Sequence, residues 1–494
     1  MVRKIQNLIG GEWISGSQAE VHQIINPNNG VTTEYELNYS TEEDVDKAVA
    51  VAKEAFPAWR NTSVVKRCRI LFHVKELLEQ SMDELAETLS RENGKTVGEA
   101  AGSIRRGIEV VEFAAGMPSL SKGDFIENIA GEVDGYIYRE PLGVVVGGCP
   151  FNFPGMIPMW MIPVALACGN TFILKPSEKC PATATKLVEI FKAGGIPDGV
   201  LNLVQGDAVA FNRLITHKDV KAISFVGSTP VAKHVWETGT SHGKRVQALG
   251  GAKNYIIVMP DASPKETVNA IIGSSYGCAG ERCMASSILL LVGEAEKLLN
   301  QVVEAAKNIK VGDVADSSTQ MGPLVTPEHK ERVLEYIKIG VNEGANLILD
   351  GREVTVEGKE KGNFVGPTIF DNVNVDMRIA KEEIFGPVLS VMRATNLGEA
   401  IEMANTSLFG NGGSIFTESG TAAREFRTKV ECGMLGINTG VPAPMAFFSF
   451  GGHKNSFFGD LRAHGPDGVE FYTKKKAIIE QWNGGKASES IWGK

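Results

Sequence analysis

The chain of 494 residues lacks the features that mark several common protein classes. It has only seven cysteines (68, 149, 168, 180, 278, 283 and 432). That odd, sparse set, with no repeated C-x-x-C spacing, excludes a disulfide framework and points to a reducing compartment such as the cytoplasm. Its eight histidines are scattered and include no H-E-x-x-H, so no metal is expected. Basic residues number 50 against 59 acidic ones; the net charge of −9 disfavours nucleic acid or an anionic membrane as a partner. No apolar run follows Arg3-Lys4, so no secretory signal is expected. The densest basic run, Lys474-Lys475-Lys476, reads as a solvated strand edge or turn.

Charge is also missing from residues 141–174, a stretch of 34 that is long enough to span a bilayer. Five prolines and the Gly147-Gly148 pair interrupt it, and a buried strand, an irregular loop and a packed helix fit better. The remainder has ordinary globular composition, 43% hydrophobic and 22% charged. Its length allows about two to four domains.

Residues 1–40 read as short strands turning at Gly10-Gly11 and at 26–30. Ser40-Thr41-Glu42-Glu43 predicts a capping box ahead of a helix, and apolar spacing predicts long helices near 64–93 and 96–116. A hairpin is expected at 125–129 and 136–140, turning at Asp134-Gly135. From Leu142, apolar β-type runs (LGVVVGGC, NTFILKP, GVLNLVQG, AISFVG, VQALGG, YIIVM) alternate with helical segments at 181–193, 207–215 and 230–238. This alternation argues for a doubly wound parallel α/β sheet. After Gly251 a second α/β block supplies SSILLLVG, ANLILDG, LSVMRAT, GGSIFT and MLGINTG.

Such a sheet suggests a nucleotide, yet no Rossmann-type G-x-G-x-x-G is present. FVGSTP (225–230) either offers Gly227, Ser228 and a helix N-terminus to a pyrophosphate or is an ordinary strand–helix turn. In ILKPSE (173–178), Lys175 and Glu178 leave the end of a buried strand, where ligands bind in such sheets. Glu178 either accepts from adenosine ribose hydroxyls, disfavouring a 2′-phosphate, or forms a surface ion pair. Cys283, in AGERCM, is the nucleophile candidate, with Arg282 beside it to favour a thiolate. Asn152, in CPFNFP, is a neutral donor suited to an oxyanion or to tying its own loop.

In order, PFNFP, LKPSE, FVGST, LGG, GERC and KEEIFGP (381–387) resemble the NAD(P)-dependent aldehyde dehydrogenases, over a span from GGEW near Gly10 to Tyr472. The resemblance implies two doubly wound parallel-sheet α/β domains plus a small β oligomerisation element. The NAD-binding domain would comprise 1–121 and 142–249, and the catalytic domain 250–450. Residues 122–141 and 466–482 would build a homotetramer, and 483–494 would form a loose tail. Cys283 would attack the aldehyde, and Asn152 with the Cys283 main-chain N–H would stabilise the oxyanion. NAD would lie against Cys149, Phe151, Lys175, Glu178, Lys179, Gly227, Ser228, Gly250, Glu383 and Phe385, with Glu383 on the nicotinamide ribose and Phe385 packed beside it.

Two departures from the family pattern bear on the acyl acceptor. Most relatives read Glu-Leu-Gly-Gly, whose Glu activates water; here the segment 247–251 is read with Ala248 at that position. Counting back from GVEFYT (468–473) places Ala463 where a second Glu often stands. General-base assistance is typically worth about 10²–10⁴-fold, and a thiol needs far less help than water. Coenzyme A is therefore the expected acyl acceptor.

RRGIEVVEF (105–113), GERCMA, FFSF (447–450) and SFFGD (456–460) further resemble the methylmalonate-semialdehyde dehydrogenase subfamily, whose paired arginines match Arg106 and Arg282. Gly250 and FGGHKN (450–455) depart from that subfamily. The implied reaction is NAD-dependent oxidation of methylmalonate or malonate semialdehyde on Cys283. Loss of the carboxylate as CO2 or bicarbonate and transfer to CoA would give propionyl-CoA or acetyl-CoA, in a catabolic route such as that of valine or inositol. The competing readings are a hydrolytic aldehyde dehydrogenase with another base and a catalytically silent homologue.

Overall fold

In the computed structural model, which describes residues 2–482, two mostly parallel sheets organise the chain. The expected tail at 483–494 lies outside the described residues. The first sheet has eight strands, ordered Phe457–Phe458, Arg245–Leu249, Val220–Val226, Val144–Gly148, Thr171–Lys175, Leu201–Leu203, Asn7–Ile9 and Glu12–Ile14. Its five middle strands, 245–249 to 201–203, pair in parallel, and the outer ones pair antiparallel. Thr171–Lys175 and Leu201–Leu203 lie to one side of Val144–Gly148, while Val220–Val226 and Arg245–Leu249 lie to the other. The chain therefore reverses its winding at Val144–Gly148, and a crevice opens at the carboxyl ends of these strands.

The charge-free stretch falls at this reversal, as a buried strand, a loop and the helix Met156–Ala167 before Thr171–Lys175. The helix is buried on all sides, and an ionised side chain there would lose its hydration without a partner. Glycine is required at 147: an added Cβ would come within 2.6 Å of the Phe172 ring and 2.9 Å of Met161 Sδ.

The second sheet has seven strands, ordered Asn346–Leu349, Thr368–Asp371, Val388–Ala394, Ser286–Val292, Asn254–Val258, Gly412–Phe416 and Met434–Ile437. All pairs but the first are parallel. Thr368–Asp371 is the one strand here without a sequence signal, being four residues directly after a Gly-Pro pair. A small antiparallel sheet joins Thr473–Gln481, Val133–Pro141 and Phe125–Ala130, and leaves Phe125, Ile126, Ile129 and Ile479 exposed. Lys474, Lys475 and Lys476 lie on its edge strand, where they pair with Glu140 and Glu470.

Several local expectations shift. The hairpin turns at Gly131-Glu132, because Ala130 pairs with Val133 and Glu132 adopts φ 62°; Asp134-Gly135 are inside the strand, paired with Glu480 and Ile479. The capping box is built by Thr41 and Asp44, since Ser40 is buried and accepts from Asn7. The helix expected over 64–93 breaks at Ser81 into Val64–Gln80 and Met82–Asn93. Residues 466–471 belong to the helix Gly465–Phe471, so the C-terminal strand starts only at Thr473. Among the described residues, no helix is long and apolar enough to cross a membrane.

Candidate active site

The crevice at the strand ends is a groove of about 660 Å³. Cys149, Phe151, Asn152, Lys175, Glu178, Lys179, Gly227, Ser228, Gly250, Cys283, Glu383 and Phe385 all line it. Lys175 ends its strand with Nζ 3.1 Å from Glu178 Oε2. Burial works to raise the Glu178 carboxyl, but Lys175, a main-chain N–H and Lys179 outweigh it and hold the group below its usual range. Lys179 Nζ sits 5.1 Å over the Phe151 ring, and Phe151 meets Phe385 edge-on at 5.9 Å. Ser228 caps the helix Thr229–Ser241 without a side-chain hydrogen bond, leaving first-turn N–H groups able to take an anion.

Glu383 enters from the second sheet's side, its Oε1 accepting from the Ala252 N–H at 2.9 Å. Burial pushes its carboxyl up to about 7, with the Ala252 N–H and Lys253 pulling the other way. Phe385 adopts φ 65°, and its carbonyl accepts from His329 Nε2 at 2.7 Å; desolvation holds His329 down at about 4, so it is neutral.

Cys283 ends a tight loop in which Cys278, Ala279 and Gly280 take left-handed φ of 52°, 51° and 74°. Glu99 anchors that loop, Oε1 accepting the Cys278 N–H at 2.6 Å. The Cys283 carbonyl accepts from Asn254 and Asn411, each at 2.9 Å. Burial pushes the Cys283 thiol up to about 12, and Glu383 adds to this. Arg282 favours the Cys283 thiolate, as expected, but it is not the main influence. Its guanidinium turns to Cys278 Sγ (3.2 Å) and Glu99 (3.5 Å), and its pull on Cys283 ranks behind that of the Cys283 and Met284 main-chain N–H groups. Asn152 Nδ2 donates to the Glu281 carbonyl at 3.1 Å. The Glu281 carboxyl is itself buried and pushed up to about 8, opposed chiefly by Lys95.

Cys283 also borders a second cavity, of about 280 Å³, whose wall includes both Arg106 and Arg282. Arg106 projects from the helix Val97–Ala115, Nη1 3.0 Å from Glu109 and Nη2 3.4 Å from the Ala443 carbonyl. Phe153, Met156, Trp160, Val441 and Phe450 make much of the remaining wall apolar. Arg105 lies outside, paired with Glu79 at 2.9 Å.

The aldehyde dehydrogenase family profile matches residues 13–478. Malonate-semialdehyde dehydrogenase 1 of Geobacillus thermodenitrificans is 52% identical over 483 residues, covering 97% of this chain and 99% of that protein. The chain belongs to the aldehyde dehydrogenase family. A crystal structure from Sinorhizobium meliloti, assigned provisionally as methylmalonate-semialdehyde dehydrogenase and complexed with NAD, superposes with a TM-score of 0.97 at 44% identity, covering 98% of this chain and 99% of that one. That of methylmalonate-semialdehyde dehydrogenase from Oceanimonas doudoroffii gives 0.96 at 44% identity, with the same coverage.

Within this aldehyde dehydrogenase, neither Ala248 nor Leu249, the last two residues of the strand before Gly250-Gly251, carries a carboxylate. Ala248 is fully buried in one apolar cluster with Val246 and Phe225, and Phe225 lines the groove that Cys283 borders. Leu249, 2% exposed, belongs to the cluster that Cys283 packs against. Ala463 lies in that same cluster.

Sequence reasoning missed other members of the two cavities. Glu99, Ser103 and Glu109 lie on the Arg106 helix at spacings of three and four that share its cavity face, a pattern that could have been read. Trp160, His464 and Phe211 come from separate parts of the chain, His329 and Arg332 share the helix Pro327–Asn342, and none of the five carries a local motif.

Proposed function

We propose that this aldehyde dehydrogenase oxidises malonate and methylmalonate semialdehyde with NAD and passes the acyl group to coenzyme A. The observation that carries this reading is the cavity whose wall holds Cys283 together with the Arg106 and Arg282 guanidiniums, each beside a carboxylate (Glu109 and Glu99), among largely apolar side chains. A short aldehyde with a carboxylate next to its α-carbon matches that wall: cationic forks for one end, a thiol for the other. The names of the relatives support the same substrate class.

The groove suits NAD. The uncapped N-terminus of Thr229–Ser241 would hold the pyrophosphate, Glu178 with Lys175 the adenosine ribose, and Glu383 the nicotinamide ribose, with Phe385 packed beside it. Once deprotonated, Cys283 Sγ adds to the aldehyde carbon, and the carbonyl π pair moves onto oxygen. Asn152 Nδ2–H and the Cys283 N–H donate to that oxyanion. Bound NAD supplies the hydride acceptor. The carbonyl then re-forms as a thioester on Cys283, one carbon from the substrate carboxylate. Breaking that C–C bond releases CO2 and leaves an enolate on the thioester, which takes a proton to become acetyl or propionyl. The coenzyme A thiolate attacks the thioester carbon, and Cys283 departs as thiolate.

Leu249 and Ala463 support a thiol acceptor, since neither can activate water. On the same reading, residues 1–121 and 142–249 bind NAD and 250–450 carry the nucleophile. Residues 122–141 with 466–482, which expose Phe125, Ile126, Ile129 and Ile479, assemble a homotetramer in the cytoplasm. Following NADH with malonate semialdehyde, with and without coenzyme A, tests the proposal. One NADH per Cys283 without coenzyme A, and steady acetyl-CoA formation with it, is the expected result. Sustained conversion to the free acid without coenzyme A would overturn it in favour of a hydrolytic enzyme, with Glu383 the candidate base.

A further inference from the structure

Three successive residues of the Asn152 loop are held from a single short segment. Asn93 Nδ2 donates to the Phe151 carbonyl at 3.0 Å, Lys95 Nζ donates to the Asn152 carbonyl, and the Lys95 ammonium sits 4.6 Å over the Phe153 ring. Lys95 is 2% exposed, and its other hydrogen bond goes to Asn93 Oδ1 at 2.9 Å. Gly94, between them, takes φ 89° and ends the helix Met82–Asn93. The segment is itself fixed: Ser90 Oγ donates to the Lys95 carbonyl at 2.7 Å, and the Glu92 carboxylate caps Ala182–Ala193 through the Ala182 and Thr183 N–H groups at 2.7 and 2.9 Å.

From the other side, Asn152 Nδ2 donates to the carbonyl of Glu281, two residues before the nucleophile. Asn152 is thus held at both ends, its main chain by Lys95 and its amide by the Cys283 loop. One amide hydrogen remains for the substrate oxygen. The direct partners of the Lys95 ammonium are amide oxygens and an aromatic face, all neutral. The buried Glu281 carboxyl is the charge that Lys95 chiefly favours, but the ammonium's hydrogen bonds go to Asn93 and Asn152 instead. Its positive field is retained directly behind the residue assigned to an oxyanion.

We infer that Lys95 is a positioning residue of the oxyanion site, fixing and polarising the Asn152 peptide so that the Asn152 amide meets the negative charge that develops on the substrate oxygen. This rests on the assignment of Asn152 as the oxyanion donor.

The test uses full-length Lys95→Met, Asn152→Ala and the double variant, reading the pre-steady-state NADH burst with malonate semialdehyde and NAD binding by fluorescence. Lys95→Met is expected to slow the burst about 10–100-fold, within the range for loss of one oxyanion donor. NAD affinity and aldehyde KM should stay within about twofold, and Lys95→Arg should recover part of the rate. On the Asn152→Ala background, Lys95→Met should cost less than about threefold, because a residue acting through Asn152 has nothing left to act on. A full loss on that background, a parallel loss of NAD affinity, or a Lys95→Met burst within twofold of the parent would each overturn the inference. If Lys95→Met does not fold, Lys95→Gln carries the same readouts. An unchanged burst in Asn152→Ala would instead remove the assignment on which the inference rests.

Discussion

The two faces of the strand Arg245–Leu249 make a sharp prediction about why the acyl-enzyme waits for a thiol. Leu249→Glu exchanges side chains of similar size and puts a carboxylate into the cluster that Cys283 packs against. General-base assistance typically contributes about 10²–10⁴-fold, so thioester hydrolysis without coenzyme A should rise at least about 100-fold. Ala248→Glu, one residue earlier, puts the same group against Val246 and Phe225, where the present side chain is fully buried. An unpaired buried charge costs several kcal/mol of a total stability of about 5–15 kcal/mol. Ala248→Glu should therefore lower the melting temperature. The assay loads Cys283 with malonate semialdehyde and NAD in a single turnover without coenzyme A, then measures acetate against time by chromatography. Hydrolysis in Ala248→Glu but not Leu249→Glu would refute the choice of Leu249. Failure of a well-folded Leu249→Glu to hydrolyse would refute the link between the missing carboxylate and the thiol acceptor.

Three further outcomes follow from the site. The Cys283 thiol is pushed up to about 12, so between pH 7 and 9 its thiolate fraction, and its iodoacetamide alkylation rate in the free enzyme, should rise about tenfold per pH unit. Removing the Glu383 charge with Glu383→Gln should speed alkylation at fixed pH; a plateau below pH 9 would contradict the burial argument. Arg106→Leu removes charge-assisted hydrogen bonds worth about 1.5–3 kcal/mol. It should cut kcat/KM for malonate semialdehyde about 10–100-fold while changing propanal only a few-fold, and equal losses would show that Arg106 does not read the carboxylate. Glu178→Gln should shift the NAD-over-NADP ratio of kcat/KM toward NADP by about tenfold or more, since it removes a like charge facing the 2′-phosphate; an unchanged ratio places the ribose elsewhere.

Except for Thr368–Asp371, the strands of both sheets were legible because strands covered on both faces are written mostly as Val, Ile and Leu runs. The same property hides the register: in a strand buried on both sides, nothing in the apolar pattern says which residue faces the nucleophile, so Ala248 and Leu249 read alike. The Asp134-Gly135 turn signal fails for a related reason, because pairing with Glu480 and Ile479 holds those residues in the strand and moves the turn to Gly131-Glu132. The site motifs were legible one by one, as residues that leave strand ends. What joins them was not: Lys95 reaches Asn152 and Glu99 reaches Cys278 only across the fold. The adjacent Arg282 is a lesser influence for the same reason, since neighbourhood in sequence does not fix which sulfur a guanidinium faces. The acyl-acceptor argument survives these corrections because it rests on chemistry present on either face. Leu249 and Ala463 leave the Cys283 cluster without a carboxylate, and Glu383, which does bear on Cys283, is tied to the Ala252 N–H in the groove assigned to NAD. Water approaching the thioester finds no carboxylate at Ala248, Leu249 or Ala463, whereas a thiol supplies much of its own reactivity.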